Sequence, residues 1–176
     1  VHVAYGLASQ TRELRVESSD VDETVVLNAG GLRLQAAIED NAYLPSDLVT
    51  FEVYTDASND TGRRRVVADA REGSILRLPA GTYHVISHYG SANAVVRADI
   101  KVEPGKLTEA TIYQKAAKMT LKLVAASGGE AIADTAWTII GPNGETVQES
   151  VGAFPSVVLV EGRYKVIARH GGRTFS

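Results

Sequence analysis

Histidines are the side chains best suited to chemistry in this sequence, because imidazole can act as a general base or bind a metal near neutral pH. His84 and His88 stand four residues apart in a stretch with strand-like alternation, so both should lie on one face. A metal site needs at least a third ligand, and a second stretch of similar sequence has Lys165 and Arg169 at the corresponding positions. The sequence therefore predicts surface histidines.

The loop at residues 56–60 is the other candidate site, because calcium prefers several carboxylate and amide oxygens on one flexible turn. Its glycine, Gly62, does not stand at the sixth position, and no glutamate follows at the twelfth. A hairpin connection is the favoured interpretation. Cysteine is absent, which excludes disulfides, thiolate metal ligands and thiol nucleophiles. We predict no catalytic residue, no metal site and no cofactor.

The composition of the 176 residues is that of a globular protein, with 44% apolar and 22% charged residues. The net charge of -3 is small and scattered, which argues against binding to nucleic acid. The run of residues 63–65, three arginines, is predicted to flank a hairpin in solvent. No apolar run approaches the roughly 20 residues that a membrane-spanning helix needs, so no membrane insertion is predicted.

Short stretches of alternating apolar and polar residues recur along the chain, as in residues 32–36, 51–54 and 119–123. This period of two is typical of strands, and Gly, Pro, Asn and Asp separate the stretches as turn formers do. No segment keeps helical spacing over more than about two turns. The sequence predicts an all-β protein.

A repeated motif sets the organisation of the chain. Residues 78–90 align without gaps on residues 159–171, 81 positions later, and match at Leu, Gly, Tyr, Val, Ile and Gly. Residues 1–6 fit the end of the same motif. We therefore predict tandem seven-stranded immunoglobulin-like or prealbumin-like β-sandwiches of about 85 residues each.

Three segments follow from this alignment. Residues 30–115 are predicted to form a complete sandwich, with strands near residues 32–38, 50–55, 64–69, 74–78, 82–88, 92–102 and 108–113. Residues 116–176 are predicted to form a second sandwich that lacks its last two strands. Residues 1–29 are predicted to be the C-terminal strands of a preceding or donated repeat unit.

The inward side chains of the complete sandwich follow from the alternation of each strand. The predicted set is Leu34, Phe51, Val53, Val66, Ile75, Leu78, Tyr83, Val85, Val96 and Ile100. Six residues are predicted to be structural, either as core aromatics or as a glycine–tyrosine pair at a strand start. They are Gly81, Tyr83, Gly162, Tyr164, Trp137 and Phe51.

An open sandwich exposes apolar surface and unpaired strand edges. Residues 12–28 align with residues 96–114, the part that the second repeat lacks, so residues 1–28 are a candidate to fill that gap. They would do so in a neighbouring molecule or by folding back. The alternative is that they simply remain from a preceding domain. The predicted partner is therefore a protein or a second copy of the chain.

The Leu-Pro-Ala-Gly-Thr-Tyr-His-Val stretch at residues 78–85 resembles bacterial surface β-sandwich repeats of the PEGA, carboxypeptidase-regulatory-like and Cna B-type families. The resemblance implies an exported, periplasmic or extracellular module that acts as a stalk, spacer or assembly element. Cna B-type members carry a Lys–Asn crosslink, but the first strand here has Arg33 where that lysine would stand, so no crosslink is expected. No functional residue carries over.

The leading hypothesis is a non-catalytic structural or protein-interaction segment of a larger exported bacterial protein. A carbohydrate-binding module attached to an envelope enzyme is the alternative, and it predicts a groove with exposed Tyr43 and Tyr54. A third hypothesis is an accessory or inhibitor domain of a hydrolase.

Overall fold

A computed structural model describes residues 1–18, 20–56 and 62–176. These residues form fifteen strands and contain no helix, so none of them makes a helix that could cross a membrane. The all-β prediction is confirmed. The first nine strands are β1 (His2–Tyr5), β2 (Ala8–Thr11), β3 (Ala29–Ala37), β4 (Val49–Thr55), β5 (Arg65–Arg71), β6 (Ile75–Pro79), β7 (Gly81–Tyr89), β8 (Val95–Val102) and β9 (Leu107–Tyr113). The remaining six are β10 (Ala116–Thr120), β11 (Ala136–Ile140), β12 (Thr146–Val151), β13 (Ser156–Val160), β14 (Lys165–His170) and β15 (Arg173–Phe175).

Two compact units divide the chain. The first contains residues 1–87 and 96–113, and the second contains residues 88–95 and 114–176. The tip of the β7–β8 hairpin therefore belongs to the second unit, whereas the sequence placed the boundary between residues 115 and 116.

The first unit holds two sheets with the orders β5-β4-β7-β8 and β6-β3-β9. Strand β3 is central to the smaller sheet, since it pairs antiparallel with β6 and parallel with β9. Alternate residues of β3 and β4 are buried, among them Leu32, Leu34 and Phe51, because successive side chains of a strand point to opposite faces. Buried side chains from both sheets make this a β-sandwich.

The second unit repeats this order. Its larger sheet is β12-β11-β14-β15, and its smaller sheet contains β10 paired antiparallel with β13. Strand β15 stands in the place of β8 and is only three residues long. Within the described residues, no strand stands in the place of β9. Ile139, Val157 and Leu159 form a core cluster, and the partly buried Met119 and Leu121 pack against it.

Six of the ten predicted core residues are buried, and one prediction was wrong. Ile75 is 41% exposed, whereas Leu78 on the same strand is fully buried. Two residues three positions apart on a strand face opposite sides, so both could not point inward. Val66, Val96 and Ile100 are half-buried.

Residues 1–28 differ from the strand pair expected of residues 12–28. Strands β1 and β2 form a hairpin in which His2 pairs with Thr11 and Tyr5 pairs with Ala8. Residues 12–18 and 20–28 contain no strand. In the first unit β3 has a neighbour on each side, so the place beside it is taken by β6 and β9.

Candidate functional site

The histidines of the described residues do not assemble a metal site. His84 on β7 places its Nδ1 2.7 Å from Asp99 Oδ1 on β8. No group of three or more histidine, aspartate or glutamate side chains in the described ranges is arranged to hold a metal ion. Residues 57–61 lie outside the described residues, so the hairpin interpretation of the loop at residues 56–60 stays a prediction.

An equivalent tyrosine in each unit forms a hydrogen bond with the last residue of the preceding strand. The Tyr83 hydroxyl donates a hydrogen bond to the Pro79 carbonyl at 2.8 Å, and the Tyr164 hydroxyl donates to the Val160 carbonyl at 2.9 Å. In both cases the acceptor lies four residues upstream. Burial raises the pKa of Tyr83 above its usual value, so its hydroxyl stays protonated and remains a donor.

The glycines that precede these tyrosines differ in their surroundings. A Cβ at Gly162 would lie 3.5 Å from the ring of Tyr164, which is ordinary van der Waals contact. A Cβ at Gly81 would meet no atom within 4 Å. The glycine is therefore not required at either place by a close approach of neighbouring atoms.

The two core aromatics occupy equivalent strands. Phe51 on β4 is fully buried, and Trp137 on β11 is 5% exposed. The Trp137 indole N–H donates to the Gly152 carbonyl at 2.9 Å, so its one polar atom is satisfied inside the unit.

Asn93 is a contact residue that sequence analysis missed. Its side-chain Nδ2 donates to the Tyr164 hydroxyl at 2.9 Å, and the Val160 amide donates to its Oδ1 at 3.1 Å. These bonds close a network with the Tyr164–Val160 bond and hold residues 88–95 in the second unit. In the sequence Asn93 is one asparagine in a turn, and asparagines are too common in turns to single it out.

A glycine at a hairpin tip presses against a strand in both units. In the first unit, a Cβ at Gly6 would overlap Arg77 Cβ, and the Leu7 amide donates to the Arg77 carbonyl at 2.9 Å. In the second unit, a Cβ at Gly90 would lie 2.8 Å from Val158 Cβ. Arg77 and Val158 hold the same place in the repeated motif, one residue before its first leucine.

Only one edge of β10 is paired in the described part of the second unit. Two grooves in this unit involve β10 and its continuation. One, of about 450 Å³, is lined by Ala116, Ala117 and Met119 together with Leu159 and Tyr164. The other, of about 470 Å³, is lined among others by Leu123, Val124 and Phe175.

Residues 118–176 match the Rhizobiales growth-associated tandem repeat domain. The match to this growth-associated repeat covers β11 to β15 and most of β10, so it includes Trp137, Tyr164 and most of the residues that line both grooves. The chain is therefore similar to a bacterial tandem repeat family through its second repeat.

No curated protein matches the chain. Among solved structures, the Bacillus anthracis TIE protein matches with 19% sequence identity and a TM-score of 0.34. That match covers 81% of this chain but only 28% of the Bacillus chain. The growth-associated repeat is thus the comparison that bears on this protein.

Proposed function

We propose that this chain is a non-catalytic structural and protein-interaction segment of a larger exported bacterial protein. The observation that carries this proposal is the repeated contact between a hairpin tip and a strand, at Gly6 with Arg77 and at Gly90 with Val158. Units that carry the same internal contact at equivalent positions are typical of tandem repeats, whose members serve as structural modules. The match of residues 118–176 to a tandem repeat domain supports the same conclusion.

The chemistry of the described side chains also favours a non-catalytic role. His84 and Asp99 form a pair on the sandwich surface, and Asp99 is largely exposed to solvent. Catalytic acids and bases usually lie in clefts that perturb their pKa values. The exposed setting of Asp99 is instead typical of a hydrogen-bonded pair at a protein surface.

A relationship to PEGA and Cna B-type repeats, and a place in the cell envelope, form part of this proposal. The support is the Leu-Pro-Ala-Gly-Thr-Tyr motif at residues 78–83. Arg33 pairs with Glu109 across β3 and β9, with Nη1 2.6 Å from Oε1, so the position of the Cna B-type lysine carries an ordinary ion pair.

In cells, protease added to spheroplasts should digest the protein; protection until the inner membrane is lysed would contradict the export proposal.

A substitution experiment in the source bacterium separates a structural role from a catalytic one. We expect the double variant His84→Asn and Asp99→Asn to retain the wild-type phenotype, because neither residue performs chemistry. Gly90→Val, which disrupts the hairpin contact of the second unit, should reproduce the deletion phenotype. If the histidine–aspartate variant is folded and abundant yet behaves like the deletion, the non-catalytic proposal fails.

A specific observation favours carbohydrate binding as a second candidate function. Ala37 on β3 pairs with Tyr113 of β9 on one side and forms a bridge with Tyr43 on the other. Tyr43 is 56% exposed and Tyr113 is 49% exposed, and the Tyr113 hydroxyl donates to Asp40 Oδ1. Strands lie about 4.8 Å apart, so the two residues stand about 10 Å apart in one cross-strand row, suited to stacking on a sugar.

This pair differs from the predicted groove of Tyr43 and Tyr54, since Tyr54 is half-buried and its hydroxyl donates to Glu52. A four-unit β-1,4-linked N-acetylglucosamine oligomer is a suitable probe. If the site binds sugar, amide shifts near Tyr43 and Tyr113 should saturate at millimolar concentration and vanish in Tyr43→Ala/Tyr113→Ala, but persist in the control Tyr54→Phe. No shifts in the wild type would eliminate this candidate.

A further inference from the structure

The two sheets of the sandwich in the first unit end in four edge strands, and three of these edges are protected against pairing with another chain. Strand β5 carries the exposed Arg65 and Arg71 at its ends, and β8 carries the exposed Arg97 and Lys101. Strand β6 ends in Pro79, which has no amide hydrogen to donate. Charged side chains and proline are common means of blocking the addition of a further strand to a sheet edge.

Strand β9 is the fourth edge and lacks these features. The strand, Leu107–Tyr113, contains no lysine, arginine or proline, and its ladder with β3 runs along all of its residues without a register shift. Leu107 and Tyr113, at its two ends, are 44% and 49% exposed. Its one charged residue, Glu109, forms an ion pair with Arg33 of β3. The edge is therefore regular, and a cation of the same unit already balances its charge.

The hydrogen bonds between β3 and β9 show which backbone groups of β9 point outward. The Gly31 amide donates to the Lys106 carbonyl, and Gly31 stands opposite Leu107. Since the N–H and C=O groups of successive residues in a strand point to alternate sides, residues 108, 110 and 112 direct theirs toward β3. Residues 107, 109, 111 and 113 direct theirs away from β3, along the edge where the described structure has no neighbouring strand.

An antiparallel pairing with β9 of a second copy, centred on Ala110, uses all of these outward groups. It places Leu107 opposite Tyr113 and Glu109 opposite Thr111, so every outward residue of one strand meets an outward residue of the other. The two Ala110 residues form the pair without hydrogen bonds, where the backbones lie closest and a small side chain fits. A pairing centred on Glu109 would instead set two glutamates opposite each other, which is unfavourable.

The exposed side chains of β9 match in the same register. Leu107 and Tyr113 project from the same face of the strand because they are an even number of residues apart. Directly opposite side chains on two paired strands contact each other, so the leucine of each copy would pack against the tyrosine of the other. A two-fold axis supplies this apolar contact twice and removes both side chains from water.

We propose that two copies of the chain associate through β9 in this register, which joins their two three-stranded sheets into one. The inference rests on the proposed protein-interaction role and names the partner as a second copy. The main-chain hydrogen bonds of β9 supply affinity, and the contacts of Leu107 with Tyr113 fix the register. Because the same strand is used on both sides, the contact is isologous and the assembly closes as a dimer.

Light scattering coupled to size exclusion, on the full chain over a concentration series, tests this proposal. The average mass of the wild type should rise from 18.7 kDa toward twice that value and no further. Thr111→Pro should remain monomeric where the wild type is dimeric, because proline removes an outward amide donor that takes no part in the ladder with β3. Thr111→Val keeps this amide and should associate like the wild type.

A second pair of variants tests the side-chain contact with every backbone amide in place. Leu107→Asp sets a carboxylate against Tyr113 of the other copy, whose hydroxyl is bonded to Asp40. It should raise the dissociation constant of the dimer by about tenfold or more. Ile75→Asp is the matched control, because Ile75 is also an exposed apolar residue of this sheet but lies on β6, on the far side of β3. It should associate like the wild type.

Three results would overturn the proposal: a wild type that stays monomeric at every concentration, a wild type whose mass grows past that of a dimer, or a folded Thr111→Pro that associates equally well. If Thr111→Pro does not fold, as judged by circular dichroism, the comparison of Leu107→Asp with Ile75→Asp decides. Equal association of those two variants would then contradict pairing through β9. None of these results alters the test of the proposed function with the histidine–aspartate variant.

Discussion

Replacing Phe51 with alanine should lower the free energy of unfolding of the first unit by about 3–5 kcal/mol. Phe51 is completely buried on β4, the second strand of the larger sheet. Its removal loses the transfer free energy of the ring and leaves a cavity between the two sheets. Urea denaturation followed by far-UV circular dichroism should show an earlier transition for the first unit.

Phe51→Leu is the matched control, because leucine fills most of the same space without a polar atom. It should cost about 1–2 kcal/mol, within the range of core substitutions that change shape but keep most of the volume. If Phe51→Ala shifts the first transition by less than about 1 kcal/mol, the sheets do not close over this residue as the structure describes.

Replacing Gly90 with valine should destabilise the second unit by about 4 kcal/mol. Two costs add at this position. The backbone has φ of +71°, which disfavours any branched side chain, and the new Cβ would lie 2.8 Å from Val158 Cβ. Trp137 is the only tryptophan and lies in the second unit, so its fluorescence reports the unfolding of this unit directly.

Gly144→Val separates the two costs. Gly144 also lies in the second unit and has φ of +83°, but a Cβ there would meet no atom within 4 Å. It should therefore cost only the backbone strain, about 1–3 kcal/mol. Equal losses for Gly90→Val and Gly144→Val would mean that residues 88–95 do not pack on Val158.

The strands were predictable from sequence because each has a strong period of two with turn formers on either side. All seven predicted strands of residues 30–115 overlap β3 to β9. The burial of Ile75 was predicted wrongly because an apolar side chain at a strand end can point to either face of the sheet. Only the pairing of β6 with β3 fixes which face is buried.

The contacts of the hairpin tips could not be predicted in the same way. Asn93 forms hydrogen bonds with Val160 and Tyr164, which lie 67 and 71 positions later in the sequence. No local sequence pattern encodes contacts over such a separation. Residues 21–27 carry a strand pattern, yet the structure leaves them without a strand, because a strand needs a paired neighbour as well as a local pattern. The candidate sugar-binding pair, Tyr43 and Tyr113, likewise depends on tertiary pairing, because both residues pair with Ala37.

In each unit a hairpin tip packs on the equivalent strand, and proton–proton distances at the two tip glycines measure this packing. We expect strong nuclear Overhauser effects from Gly90 Hα to the Val158 methyl groups and from Gly6 Hα to the Arg77 Hβ protons in the full chain. The absence of both contacts, in a protein whose β3–β9 and β10–β13 ladders are intact, would contradict it.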